Sequence, residues 1–74
     1  MDHRVCLGFR VVRGPDWEWG DQDGGEGYAG TVVELDLVRK AVVVQWDYRD
    51  RCWYRCGAQD KYDLRVFDSS PAGV

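Results

Sequence analysis

The sequence predicts an all-β fold, a small five-stranded barrel. Three observations carry that prediction. Five short runs rich in β-branched and aromatic residues recur along the chain, punctuated by Gly, Pro and charged residues. No stretch sustains a helical period. A β protein of only 74 residues also gains from closing its sheet, because closure leaves few unpaired edges.

The first strand is expected over residues 8–13, where Phe9, Val11 and Val12 supply β-forming side chains. Gly14-Pro15-Asp16 ends it, since Pro15 has no N–H to give a ladder. A long loop follows as far as Gly30. It holds Gly20, Gly24, Gly25 and Gly27, so positive φ angles or close backbone approaches are expected there. Its two tryptophans argue against disorder, because disordered segments are poor in aromatics. Residues 31–35 form the second strand and residues 36–40 a polar connection. The third strand, residues 41–46, is the clearest. Period-two alternation sets Val42, Val44 and Trp46 on one face, the expected core face, and Ala41, Val43 and Gln45 on the other. A turn over 47–51, a fourth strand over 52–55, a turn over 57–60, a 3₁₀ turn over 61–63 and a fifth strand over 64–67 complete the order. A long first loop, a tight central hairpin and a short turn before the last strand fit an SH3-like barrel.

Length allows one domain at most, of modest stability. The four tryptophans and four tyrosines can each bury about 150–250 Å². They cannot all fit inside so small a molecule, so some should face solvent or a partner. The three cysteines, Cys6, Cys52 and Cys56, cannot all pair and contain no CxxC spacing. With His3 as the one histidine, no closed zinc site is expected, and the thiols read as reduced ones of an intracellular protein. No apolar run approaches the roughly 20 residues that span a bilayer, and residues 1–4 do not lead into the apolar segment of a signal peptide. A cytoplasmic, monomeric chain without membrane insertion is expected.

The net charge of -3 is unevenly spread. Residues 1–38 carry eight acids and three Lys or Arg; residues 39–65 carry four acids and seven Lys or Arg. The acidic loop would repel phosphate backbones, which argues against nucleic acid, and would attract basic peptides. Catalysis lacks parts: His3 has no evident nucleophilic partner, and the loop acids form no matched acid–base pair. Gly24-Gly25-Glu26-Gly27 has neither the lysine nor the strand-to-helix setting of a phosphate loop.

The most specific signal is the run Arg10-Val11-Val12-Arg13-Gly14-Pro15-Asp16-Trp17-Glu18-Trp19-Gly20, continuing through Asp21-Gln22-Asp23-Gly24-Gly25-Glu26-Gly27. It resembles the signature of the Mib/Herc2 domain. Three later blocks agree in order: Gly30-Thr31-Val32-Val33, then Val42-Val43-Val44-Gln45-Trp46-Asp47, then Tyr54-Arg55-Cys56-Gly57 leading to Lys61-Tyr62-Asp63-Leu64-Arg65. The resemblance covers residues 8–68 as one domain and leaves 69–74 as a linker to a following domain. It implies an SH3-like barrel from an E3 ubiquitin ligase, most like the first copy in a mind bomb-type, RING-containing parent with zinc fingers and ankyrin repeats. It further implies a non-catalytic role, recruiting the cytoplasmic tails of Notch ligands, with zinc only in neighbouring domains and no cofactor in this chain. Two alternatives stand beside it. One is a structural spacer packing against a zinc finger or a second copy; the other is a Herc2-type copy binding another substrate. Two positions depart from the family pattern. Tyr48-Arg49 stands where Asn-Gly is common, which disfavours a type I′ turn and favours a longer loop. Cys52 replaces an Asn usual before the Tyr-Arg pair.

The candidate peptide-binding residues are Trp17, Trp19, Asp21, Asp23, Glu26, Tyr48, Trp53 and Arg55. Trp17 and Trp19 share a parity, so they either form an aromatic platform or fold back and plug the interior. Asp21, Asp23 and Glu26 either meet a basic ligand or pair with Arg49, Arg51 or Arg55 and cap loop N–H groups. Trp53 and Arg55 share one strand face and Tyr54 the other, which makes Trp53 the best surface aromatic outside the first loop. Trp46 is expected in the core, and Tyr62 under the last strand.

Overall fold

The computed structural model describes residues 5–68. His3 and the expected linker over 69–74 lie outside the described residues. The β-branched runs become five strands: β1 (Arg10–Arg13), β2 (Gly30–Asp36), β3 (Ala41–Trp46), β4 (Arg51–Arg55) and β5 (Leu64–Asp68). All neighbours pair antiparallel, in the order β4-β3-β2-β1-β5.

Alternation decides what β3 buries. Val42, Val44 and Trp46 are all buried, and they form the core with Val11, Val32, Tyr54 and Leu64. Val43 is also buried, although it points away from that core. The ladder explains it: Glu34 and Trp53 oppose Val43 from the two flanking strands, and long side chains on a sheet face cover the short one between them. On β2 a bulge at Val33 places two residues opposite one and reverses the parity. Val32 before the bulge and Leu35 after it therefore both pack on the core. Gly30 makes room for Trp46, since a Cβ there would lie 2.7 Å from its ring and 2.5 Å from Val44 Cγ1.

The expected closed barrel is not formed. β4 and β5 occupy opposite ends of the sheet order and are linked only at a corner. There Cys56 bridges Tyr62, and the Asp63 N–H donates to the Arg55 carbonyl at 3.0 Å. Beyond that corner β5 pairs with β1 alone, Leu64 facing Arg13. The cause is the intervening turn. Gly57, Gln59 and Asp60 all take left-handed backbone, with φ of 114°, 58° and 58°, and swing the chain away from β4. The one 3₁₀ turn among the described residues is part of this bend, at Ala58–Asp60 and not over 61–63. Tyr62 accordingly sits half-buried at the corner and is not among the core residues.

Candidate functional site

The long loop, residues 14–29, is fastened at its base. The Gly14 N–H donates to the Asp63 carbonyl at 2.6 Å, and a Cβ on Gly14 would meet Leu64 backbone at 2.7 Å, so only glycine permits this approach. Asp16 and Tyr62 exchange two bonds: the Asp16 N–H to the Tyr62 carbonyl at 3.1 Å, and the Tyr62 N–H to Asp16 Oδ2 at 2.7 Å. From this base Trp17 turns inward. Its ring stacks on Tyr54 at 5.2 Å and meets Trp46 edge-on at 5.7 Å, and its Nε1–H donates to the Gly20 carbonyl at 2.9 Å. Trp46 Nε1–H donates to the Tyr54 hydroxyl at 2.8 Å, and that hydroxyl donates to Gln22 Oε1 at 2.9 Å, which ties loop to core. Burial pushes the Tyr54 phenol up to about 12, so it stays protonated and can make that donation.

Two ion-pair groups fasten the rest. Asp23 is 0% exposed and receives the Arg13 guanidinium at two contacts of 2.8 Å, plus the Gly25 N–H at 2.9 Å. Burial alone would raise its carboxyl, but the Arg13 and Gly25 donors outweigh it and hold it below the usual carboxylate range. Arg55 binds the fully buried Asp63 at 2.7 Å and Glu18 at 2.7 Å, and its guanidinium lies 5.1 Å above the Trp19 ring. Arg13 covers Trp17 in the same way at 5.4 Å. The Trp19 Nε1–H is buried without an acceptor among the described residues.

These contacts sort the candidate residues. Trp17 and Trp19 pack against the core and do not form a joint platform, though both keep part of their surface exposed. Asp23 pairs with Arg13 and not with Arg49, Arg51 or Arg55. Asp21 and Glu26 are exposed, Asp21 with only a 3.7 Å contact to Arg13. Arg55 is engaged inside the fold, while Trp53 on the outer face of β4 is 54% exposed. Tyr48 is 73% exposed in the turn after β3. That turn spans four residues, 47–50, between the end of β3 at Trp46 and the start of β4 at Arg51, with no left-handed residue, as the missing Gly requires.

Tyr28, not singled out beforehand, completes a surface feature with the candidate Tyr48. Tyr28 and Tyr48 meet edge to face at 5.6 Å, and with Gly24 and Arg49 they line a cleft of about 330 Å³. Gly24, at φ 103°, lets the Tyr28 ring lie against the loop, since a Cβ would stand 3.3 Å from Tyr28 Cγ. Gln45 fixes the other wall, donating from Nε2 to the Arg49 carbonyl at 2.9 Å. The Arg49 guanidinium makes no ion pair among the described residues. The signal for Tyr28 in the sequence is its place directly after Gly24-Gly25-Glu26-Gly27, where glycines bare the backbone beside an aromatic ring.

Among the described residues no group of three or more His, Cys, Asp or Glu side chains could hold a metal ion. Nor does any helix among them have the length and apolarity to cross a membrane. The Mib_herc2 family model matches residues 8–68. The chain is 51% identical over 74 residues to "E3 ubiquitin-protein ligase MIB2" of Gallus gallus, covering 92% of this chain and 8% of that protein. It is 52% identical over 68 residues to "E3 ubiquitin-protein ligase mind-bomb" of Drosophila melanogaster, covering 92% of this chain and 5% of that one. Human "E3 ubiquitin-protein ligase HERC2" is more distant, 43% identical over 60 residues and 1% of its own length.

Proposed function

Because the chain belongs to the Mib_herc2 family, we propose that it is a non-catalytic, substrate-recruiting module of an E3 ubiquitin ligase. Its ligand is a peptide segment, that of a Notch-ligand cytoplasmic tail in the mind bomb-like setting. The reading extends to the SH3-like topology and to the parent: a RING-type ligase of the cytoplasm, with ubiquitin transfer and zinc in other domains.

One observation carries the binding role. The Tyr28–Tyr48 pair and the Arg49 guanidinium surround an open cleft, and Arg49 makes no ion pair among the described residues. Tyrosine and arginine are the side chains that dominate binding energy in peptide and protein interfaces. The cleft joins the long loop to the β3–β4 turn. Titrating the ¹⁵N-labelled chain with Notch-ligand tail peptides tests the reading. Saturable amide shifts at Gly24, Tyr28, Tyr48 and Arg49 are expected, and Tyr48→Ala should abolish them without unfolding the chain. A spectrum unmoved at millimolar peptide would sink the proposal.

A further inference from the structure

A second surface lies at the turn between β2 and β3. Leu37 and Val38 form its tip and are 84% and 92% exposed, the most exposed large apolar side chains among the described residues. Asp36 is consumed in holding the turn. Its Oδ1 accepts the Val38 and Arg39 N–H groups at 3.1 and 3.0 Å, and its Oδ2 lies 3.7 Å from Arg39 Nε.

Lys40 differs. It stands at φ 56°, in left-handed backbone that favours glycine or asparagine. Its carbonyl accepts the Cys56 and Ala58 N–H groups at 2.8 and 3.2 Å, which lock that conformation. The bare backbone of Gly57 lies under its stem, since a Cβ there would stand 3.5 Å from Lys40 Cδ. The Lys40 ammonium makes no ion pair among the described residues. Those two bonds to its carbonyl offset the cost of holding a non-glycine residue there.

Beside Lys40 opens a cleft of about 320 Å³, walled mainly by Val5, Leu35, Leu37, Ala41, Val42 and Cys56. The volume is at the low end of the range of about 300–1,000 Å³ typical of ligand pockets. Burial pushes the Cys56 thiol up, so that wall is a neutral thiol and not a charge. The cleft is therefore apolar, with a strained, unpaired lysine at its edge and Arg39, its side chain 83% exposed, next along the turn.

We propose that this cleft docks a short acidic–aliphatic peptide segment, with aliphatic side chains entering beside Leu37 and a flanking carboxylate meeting Lys40. Charge complementarity selects this occupant: the one acid lining the cleft is occupied by the turn, and both neighbouring cations face outward unpaired or weakly paired. This surface is separate from the Tyr28–Tyr48 cleft, and the two readings stand or fall independently.

The test titrates the ¹⁵N-labelled chain with capped Glu-Leu-Leu-Glu and, in parallel, with capped Lys-Leu-Leu-Lys. The acidic peptide should move amides of residues 35–42 and Cys56 saturably while leaving Tyr28 and Tyr48 in place. Losing the charge pair should weaken binding by about tenfold in the lysine peptide. Lys40→Gly relieves the left-handed strain, so the chain stays folded, and it should lose a similar factor; Lys40→Arg should keep most of the affinity. No shifts at millimolar acidic peptide, or equal shifts from both peptides, overturn the proposal. So do shifts of residues 35–42 that appear on raising the protein concentration alone, because a second copy would then be the occupant.

Discussion

Trp17 and Val38 both sit in connections between strands, yet Trp17 stacks on Tyr54 at 5.2 Å and Val38 is 92% exposed. The long loop is acidic and glycine-rich and has the composition of a solvated segment. It nevertheless sends Trp17, Trp19 and Asp23 toward the interior. The β2–β3 turn is short and mostly polar, and it holds two aliphatic side chains out in water. The difference lies in the reach of the tethers. The loop is bonded to the adjoining β1 and, far from it in sequence, to β4 and the Tyr62–Asp63 corner. The side-chain bonds that hold the tip of the turn, those of Asp36, end within the turn. Exposure in so small a protein follows from what a connection is fastened to more than from how hydrophobic it is.

That contrast can be broken most severely at Trp17. Trp17→Ala removes the stack on Tyr54 and the edge contact with Trp46, and should lower unfolding free energy by about 3 kcal/mol. Urea denaturation would read it as a lower midpoint at an unchanged slope. Asp23→Asn tests the tether itself. It leaves the Arg13 guanidinium without its carboxylate and should cost about 2 kcal/mol. The same residue gives the contrast a pH dependence. Its folded carboxyl lies below the unfolded value of about 3.9. The stability it contributes is therefore present at neutral pH and is lost as pH falls below about 4 toward the folded value. Asp47, held low by its hydrogen bonds to Arg10, acts in the same direction. Thermal unfolding should be nearly flat from about pH 7 to 5 and fall below about pH 4, less steeply in Asp23→Asn. At the other end of the scale, Leu37→Ser with Val38→Ser should change stability by no more than about 0.5 kcal/mol, because neither side chain is packed. A larger loss in that double variant would mean that the turn is anchored after all.

Much of the fold was legible because β alternation is local. The spacing of Val42, Val44 and Trp46 identified the core face of β3, and the parity of Trp53 and Tyr54 separated an exposed ring from a buried one. The departure at Tyr48-Arg49 correctly implied a longer turn. Illegible features were those set by partners distant in sequence. Asp23 lies ten positions after Arg13, with no period to announce the pair. The burial of Val43 depends on cross-strand neighbours and the parity of Leu35 on the Val33 bulge, neither of which a single strand displays. The open sheet follows from left-handed backbone at Gln59 and Asp60, residues that seldom adopt it. The Tyr28 side of the aromatic cleft was missed because its ring is placed by Gly24, whose function is visible only when a Cβ is tried there.

The inward turn of Trp17 also gives the molecule a built-in optical gauge. Trp46 is sealed in the core and Trp17 lies edge-on to it, whereas Trp53 is open to water. A small anionic quencher would reach Trp53 first and Trp46 last. Loosening of the long loop, by ligand or by temperature, would release Trp17 from its rings and shift the emission before the sheet itself gives way. The order in which regions of this chain open can thus be followed by its own fluorescence, without a label.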